Sequence, residues 1–129
     1  MIQSNYYLQF ENNFRGKRKD IIKRLGYLDP LIDLLIKNTD ENRLLDLGCG
    51  RGEWLQNVQV RIPDYAGIEV DLDMINLCRE NGLNIIQGDA LKTLTNLKSN
   101  SASIITIFHM IEHMKYTDLF KLLEHCHRV

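Results

Sequence analysis

The sequence predicts an α/β fold, a parallel sheet of about four strands with helices ahead of it and between its strands. Three observations carry this. Four short apolar runs of β type, RLLDLG, YAGIEV, LNIIQG and SASIITIFH, alternate with helical patterns. The stretch LLDLGCGRGEW (44–54) sets glycines at 48, 50 and 52 directly behind the first run. A length of 129 residues, 44% hydrophobic and 26% charged, suits one core and one domain.

The elements follow in chain order. Residues 4–15 carry Tyr7, Phe10 and Phe14 at helical spacing, and core or lid packing is expected of these rings. Residues 17–28 set Ile21, Ile22, Leu25 and Leu28 among bases, and the cluster of Arg15, Lys17, Arg18, Lys19, Lys23 and Arg24 reads as a solvated helix face. Pro30, with Asp29 as cap, opens a further helix through LIDLLIK to Asn38, and NTDEN forms a polar turn. The strand runs then enclose the helical patterns EWLQNVQ, LDMINLCRE and the weaker ALKTLTNLK. A last helix, YTDLFKLLEHCH, follows the fourth strand, with no repeat and no second domain.

A formal net charge of −1 and a pI near 6.4 argue against general polyanion binding, so no nucleic-acid partner is expected. No apolar run approaches the roughly 18 residues that cross a bilayer, and MIQSNYYLQF lacks the order of a signal peptide. The expectation is a cytoplasmic protein without membrane insertion. Cys49, Cys78 and Cys126 share no CxxC spacing and read as reduced thiols.

Glycine at a strand-to-helix turn supplies positive φ and lets backbone N–H groups approach a ligand. A P-loop would need GxxxxGK[ST], which is absent, and GxGxxG fails because Glu53 stands three after Gly50. The pattern present is DxGxGxG, Asp46 to Gly52. It resembles the nucleotide loop of class I S-adenosylmethionine-dependent methyltransferases, which implies a Rossmann-like parallel sheet and S-adenosyl-L-methionine as cofactor, with S-adenosyl-L-homocysteine as product. Later segments extend the resemblance: GIEVD ends the second strand, QGDA the third, and FHMIEHM after the fourth is similar to the family's HxxEHL. The leader, YYLQFENNFRGKRKDIIKRLGYLDPL, resembles that of bacterial methyltransferases with an FExxFRG pattern, often linked to surface-polysaccharide synthesis.

The resemblance implies a role for each matching position. Glu69 would accept the ribose hydroxyls, Asp89 the adenine amino group with the Ala90 N–H facing the ring, and Arg15 would reach the methionine carboxylate with Asp46 on the ammonium. Gly48, Cys49, Gly50, Val70 and His109 complete the implied cofactor contacts. His109 or His113 is the candidate base for a substrate hydroxyl, the acceptor being a small molecule or a sugar or glycan. The leader, 1–40, would be a helical lid over the 43–129 core. Because the family sheet has seven strands, the fold is expected to be truncated after about four, with the native polypeptide continuing past Val129. Two alternatives stand beside this: a domain that binds the cofactor without transfer, and, more distantly, a zinc hydrolase using His109, Glu112 and His113, for which Glu124 is the one downstream carboxylate in an obvious position.

Overall fold

The computed structural model describes residues 4–129, with all their side chains except those of residues 4, 5 and 7. The ring of Tyr7 therefore lies outside the described residues. The elements are α1 (Ser4–Phe14), α2 (Arg18–Leu25), a 3-10 turn (Gly26–Leu28), α3 (Asp29–Lys37), β1 (Arg43–Leu47), α4 (Glu53–Val58) and β2 (Asp64–Glu69). Then come α5 (Leu72–Glu80), β3 (Ile85–Gln87), α6 (Ala90–Asn96), β4 (Ile104–Ile107), a second 3-10 turn (Ile111–His113) and α7 (Tyr116–Arg128).

The four strands form one parallel sheet in the order β3-β2-β1-β4. Strand β1 is central, and four of its five residues are buried because helices cover both faces. Alternation along the strands sorts side chains between two cores. Leu44, Tyr65, Ile85 and Ile104 pack with Trp54, Leu55 and Val58 of α4 and Ile75 and Cys78 of α5. On the opposite face Leu45, Leu47, Ala66 and Ile68 pack under Leu94 of α6 and Leu122 of α7.

Caps fix where two helices begin. The Asp71 carboxylate accepts the N–H groups of Asp73 and Met74, both at 3.0 Å, and Asp89 accepts that of Lys92 at 2.9 Å. Asp29 does not cap α3 as the sequence suggested. The 3-10 turn runs directly into the helix with Leu28 already helical, so α3 needs no side-chain cap, and Asp29 and Asp33 instead pair with Arg61 at 3.0 Å each. Residues 17–28 form α2 and a 3-10 turn.

Two expectations about the leader change. Phe10 and Phe14 are exposed, 46% and 75%, and stack on each other with centroids 4.7 Å apart instead of entering the core. The basic cluster is not one solvated face: Lys17, Lys19, Lys23 and Arg24 are exposed, but Arg18 donates to the Arg51 carbonyl and to Gln56 Oε1, pinning α2 on α4. Cys49, Cys78 and Cys126 are free thiols.

Gly52 shows what the loop requires. Its φ is +74°, and a Cβ there would lie 2.5 Å from Leu83 Cδ1 and 2.8 Å from Cys78 Sγ. Gly52→Ala is expected to destabilise the fold by about 2–4 kcal/mol, from left-handed strain plus overpacking. Urea denaturation measures this, and a cost under about 0.5 kcal/mol, the size of an ordinary surface change, would mean that the loop relaxes freely.

Candidate functional site

The carboxyl ends of the parallel strands converge on a cavity of about 600 Å³. In an open α/β sheet this is where ligands bind, at the point where strand order reverses beside β1. Its lining comes from every loop at that end: Gly48 and Gly50 after β1, Glu69, Val70 and Asp71 after β2, Gly88, Asp89 and Ala90 after β3, and His109, Met110 and His113 after β4. Helix α1 adds Glu11, and Arg15 follows directly after it.

The glycine loop is tied to β2 by Gly48 N–H and Cys49 N–H, which share the Ile68 carbonyl at 2.9 and 3.2 Å. Gly48 and Gly50 have φ of +68° and +54°. A Cβ at Gly48 would come within 2.9 Å of Met110 Sδ, so glycine there keeps the β4 loop close. Behind the loop Cys78 Sγ donates to the Gly50 carbonyl at 3.2 Å. Cys49 does not line the large cavity. Its buried thiol faces Cys78, and that contact together with burial pushes the Cys49 thiol well above its ordinary value.

Glu69 is the junction of this end. One carboxylate oxygen accepts Gly50 N–H at 2.9 Å, and the other accepts Val70 N–H and Asp71 N–H at 2.8 and 3.0 Å. Three of roughly four acceptor positions are thus used by the backbone, and the group is held rigidly at the cavity wall. Asp89 both caps α6 and lines the cavity, so the capping and ligand-facing readings hold together geometrically.

A second cavity, of about 320 Å³, adjoins the first and shares Arg15, Gly48, Phe108 and His109 with it. Asp46 lines this one and is buried, 2% exposed. The parallel register sets it between Gly67 and Thr106, and Thr106 Oγ1 donates to its Oδ1 at 2.8 Å. Burial raises the Asp46 pKa from 3.8 to about 7; the Thr106 hydrogen bond and the Arg15 charge oppose the rise, and the Glu69 charge adds to it. Arg15 also pairs with Glu11 at 2.9 Å.

The HMIEH segment is a loop ending in a 3-10 turn, not a helix. His109 has φ of +53° and stands exposed, with Nδ1 3.5 Å from Glu112 Oε1. His113 borders only the larger cavity. Among the described residues no three His, Cys, Asp or Glu side chains gather to hold a metal ion. Also among these residues, no helix is long and apolar enough to cross a membrane.

Sequence reasoning missed Arg51. It is buried, 2% exposed, with Nε 2.7 Å from Glu53 Oε1 and Nη1 donating to Asn12 Oδ1 at 2.8 Å. An arginine between two glycines reads as a surface residue, and nothing local marks it as the tie between leader and core.

A family model described as a methyltransferase domain matches residues 17–129. An uncharacterized methyltransferase of Schizosaccharomyces pombe is 34% identical over 89 residues, covering 67% of this chain and 30% of its own. The crystal structure of a SAM-dependent methyltransferase from Archaeoglobus fulgidus is 34% identical, with a TM-score of 0.81, over 95% of this chain and 52% of that one. An amino pentose methyltransferase from Micromonospora echinaspora, solved with SAM bound, shares the fold at 20% identity and a TM-score of 0.58, over 100% of this chain and 53% of its own. The chain thus spans about half the length of these solved structures and less than a third of the yeast relative.

Proposed function

Since this chain belongs to the methyltransferase domain family, we propose that its large cavity binds S-adenosylmethionine and that the whole protein methylates a small-molecule or glycan acceptor at a hydroxyl. The observation that carries the reading is Glu69, a carboxylate fixed at the cavity wall by three backbone N–H groups, one of them from the positive-φ glycine loop. A fixed carboxylate beside a glycine turn, with one acceptor position still open, suits a ribose hydroxyl.

The residues present fit the rest of the cofactor. Gly48 and Gly50 keep the turn free of side chains, and Asp89 with Ala90 N–H would receive the adenine edge. Val70 lines the same stretch of wall. Arg15, which borders both cavities, would turn its guanidinium to the carboxylate of the amino-acid tail, and Asp46, in the wall of the adjoining second cavity and near a positive charge already, would take the ammonium there. Cys49 contributes through its place in the loop, since its thiol is turned to Cys78. Helices α1 and α2 act as a lid over the α/β core, with Glu11 and Arg15 as its inner surface.

When bound, the cofactor supplies an electrophilic methyl group on its sulfonium. The chain orients the acceptor, keeps water out and handles the acceptor's proton. His109 is the base favoured here over His113 because it alone of the two borders both cavities. Glu112, 3.5 Å from Nδ1, would steady the imidazole as it takes the hydroxyl proton.

Isothermal titration with S-adenosylhomocysteine tests the assignment. Glu69→Ala is expected to weaken binding by about 10- to 100-fold, the loss of about 1.5–3 kcal/mol of charge-assisted hydrogen bonding. Affinity within about twofold of the parent, with the variant folded by thermal denaturation, would reject the role of Glu69 and with it the reading.

A further inference from the structure

Strand pairing sets Thr106 of β4 beside Asp46 of β1, and partners in a parallel ladder turn their side chains to the same face of the sheet. Leu44 and Ile104, two residues earlier on each strand, share that face and pack with Trp54 of α4. The polar groups there form one chain: Trp54 Nε1 donates to Thr106 Oγ1 at 3.0 Å, and Thr106 Oγ1 donates to Asp46 Oδ1 at 2.8 Å. Trp54 itself cannot shift easily. It is 4% exposed, and its ring meets Phe108 edge to face with centroids 5.3 Å apart.

The chain can run only one way. An indole N–H donates and cannot accept, so the Thr106 oxygen receives from Trp54 and has its own proton left for Asp46. A hydroxyl proton aimed at a carboxylate favours the charged form, and a hydroxyl that already accepts a hydrogen bond donates a stronger one. Burial works against the charge on Asp46; the Thr106 hydrogen bond is the larger of the two effects that oppose it, ahead of the Arg15 charge, while the Glu69 charge acts with burial. The other titratable groups that line the second cavity with Asp46 are Arg24, Tyr27, Cys49, Glu53 and His109. No donor among the described residues reaches Asp46 Oδ2, which leaves that oxygen for an incoming cation.

We propose that Trp54 and Thr106 are positioning residues for cofactor binding, their one-way hydrogen-bond chain holding the Asp46 carboxylate charged and in place for the ammonium of the cofactor's amino-acid tail. This rests on the cofactor reading given above. Thr106 lines neither cavity and so acts through Asp46 alone, and Trp54 borders the second cavity but spends its donor on Thr106. Affinity for the cofactor then rises with pH as Asp46 loses its proton, and the midpoint of that rise is set by two uncharged side chains.

Two measurements on the full chain test this: isothermal titration with S-adenosylhomocysteine from about pH 5.5 to about pH 8.5, and an NMR titration of the Asp46 carboxyl carbon without ligand. Thr106→Val keeps the side-chain shape and removes the donor. It is expected to move the Asp46 midpoint up by about one pH unit or more and to weaken binding about tenfold at about pH 6, with the loss shrinking as pH rises. Trp54→Phe keeps a ring but frees the Thr106 oxygen to accept from a protonated Asp46, so a smaller shift in the same direction is expected. Thr106→Ser retains the hydroxyl and should follow the parent. The remaining groups of the cavity are common to all four proteins, so differences between profiles report on Asp46. A Thr106→Val variant that is folded by thermal denaturation and leaves the Asp46 midpoint in place, or that loses affinity equally at every pH, overturns the proposal, as does a Thr106→Ser profile that matches Thr106→Val. A parent that fails to bind S-adenosylhomocysteine at any pH, while its Asp46 midpoint still answers to Thr106, overturns the cofactor reading instead.

Discussion

Asp46→Asn is expected to be more stable than the parent at pH 8, by as much as about 4 kcal/mol, and no more stable at pH 4. The carboxyl group is buried at the centre of the sheet, and desolvation raises its pKa from 3.8 to about 7. Below about pH 4 both the folded and the unfolded chain hold the proton, so no charge is buried and the stability is fully present. Between pH 4 and pH 7 the folded protein binds more protons than the unfolded one, so stability falls as pH rises, at up to about 1.4 kcal/mol for each pH unit. Asparagine keeps an oxygen to accept the Thr106 hydroxyl hydrogen bond and has no charge to bury. Urea denaturation of both proteins across this range measures the difference, and parallel pH profiles would refute the account. The same variant is expected to bind S-adenosylhomocysteine more weakly, since a neutral amide receives an ammonium less well than a carboxylate does. A buried acid kept at a cost to stability is a usual mark of a functional position.

Arg51→Ala is expected to destabilise the protein by about 3–5 kcal/mol, because it leaves Glu53 charged, buried and unpaired. Both residues are only 2% exposed, and their side chains approach to 2.7 Å. Arg51 also donates from Nη1 to Asn12 and from Nη2 to the Gly16 carbonyl at 3.4 Å, and its own carbonyl accepts from Arg18. Its loss should thus release α1 and the turn after it from α4 as well as weaken the core. Adding Glu53→Gln to Arg51→Met is expected to recover much of the loss, since no uncompensated charge then remains. Chemical denaturation checks both steps. A single-variant cost under about 1 kcal/mol, as for an exposed pair, would show that Glu53 finds water when Arg51 is gone.

The sequence by itself determined the strand and helix order, because buried parallel strands and amphipathic helices leave their periods in a local window. It also located the glycine turn, whose DxGxGxG spacing encodes positive φ at Gly48, Gly50 and Gly52, and it named Glu69 and Asp89 as the acids at strand ends. What a local pattern cannot hold is which distant element covers a residue. Phe10 and Phe14 have the spacing of core residues but face solvent, since among the described residues nothing buries their side of α1. Arg18 and Arg51 look like surface bases but are captured across the contact of α2 with α4. The strand order β3-β2-β1-β4, with α4 packed on the sheet, brings Asp46, Thr106 and Trp54 into one hydrogen-bonded chain and opens the second cavity beside it. Those contacts join residues some 50 to 60 positions apart, and the energy that selects them is the burial of both sheet faces, a property of the assembled layers and not of any one segment.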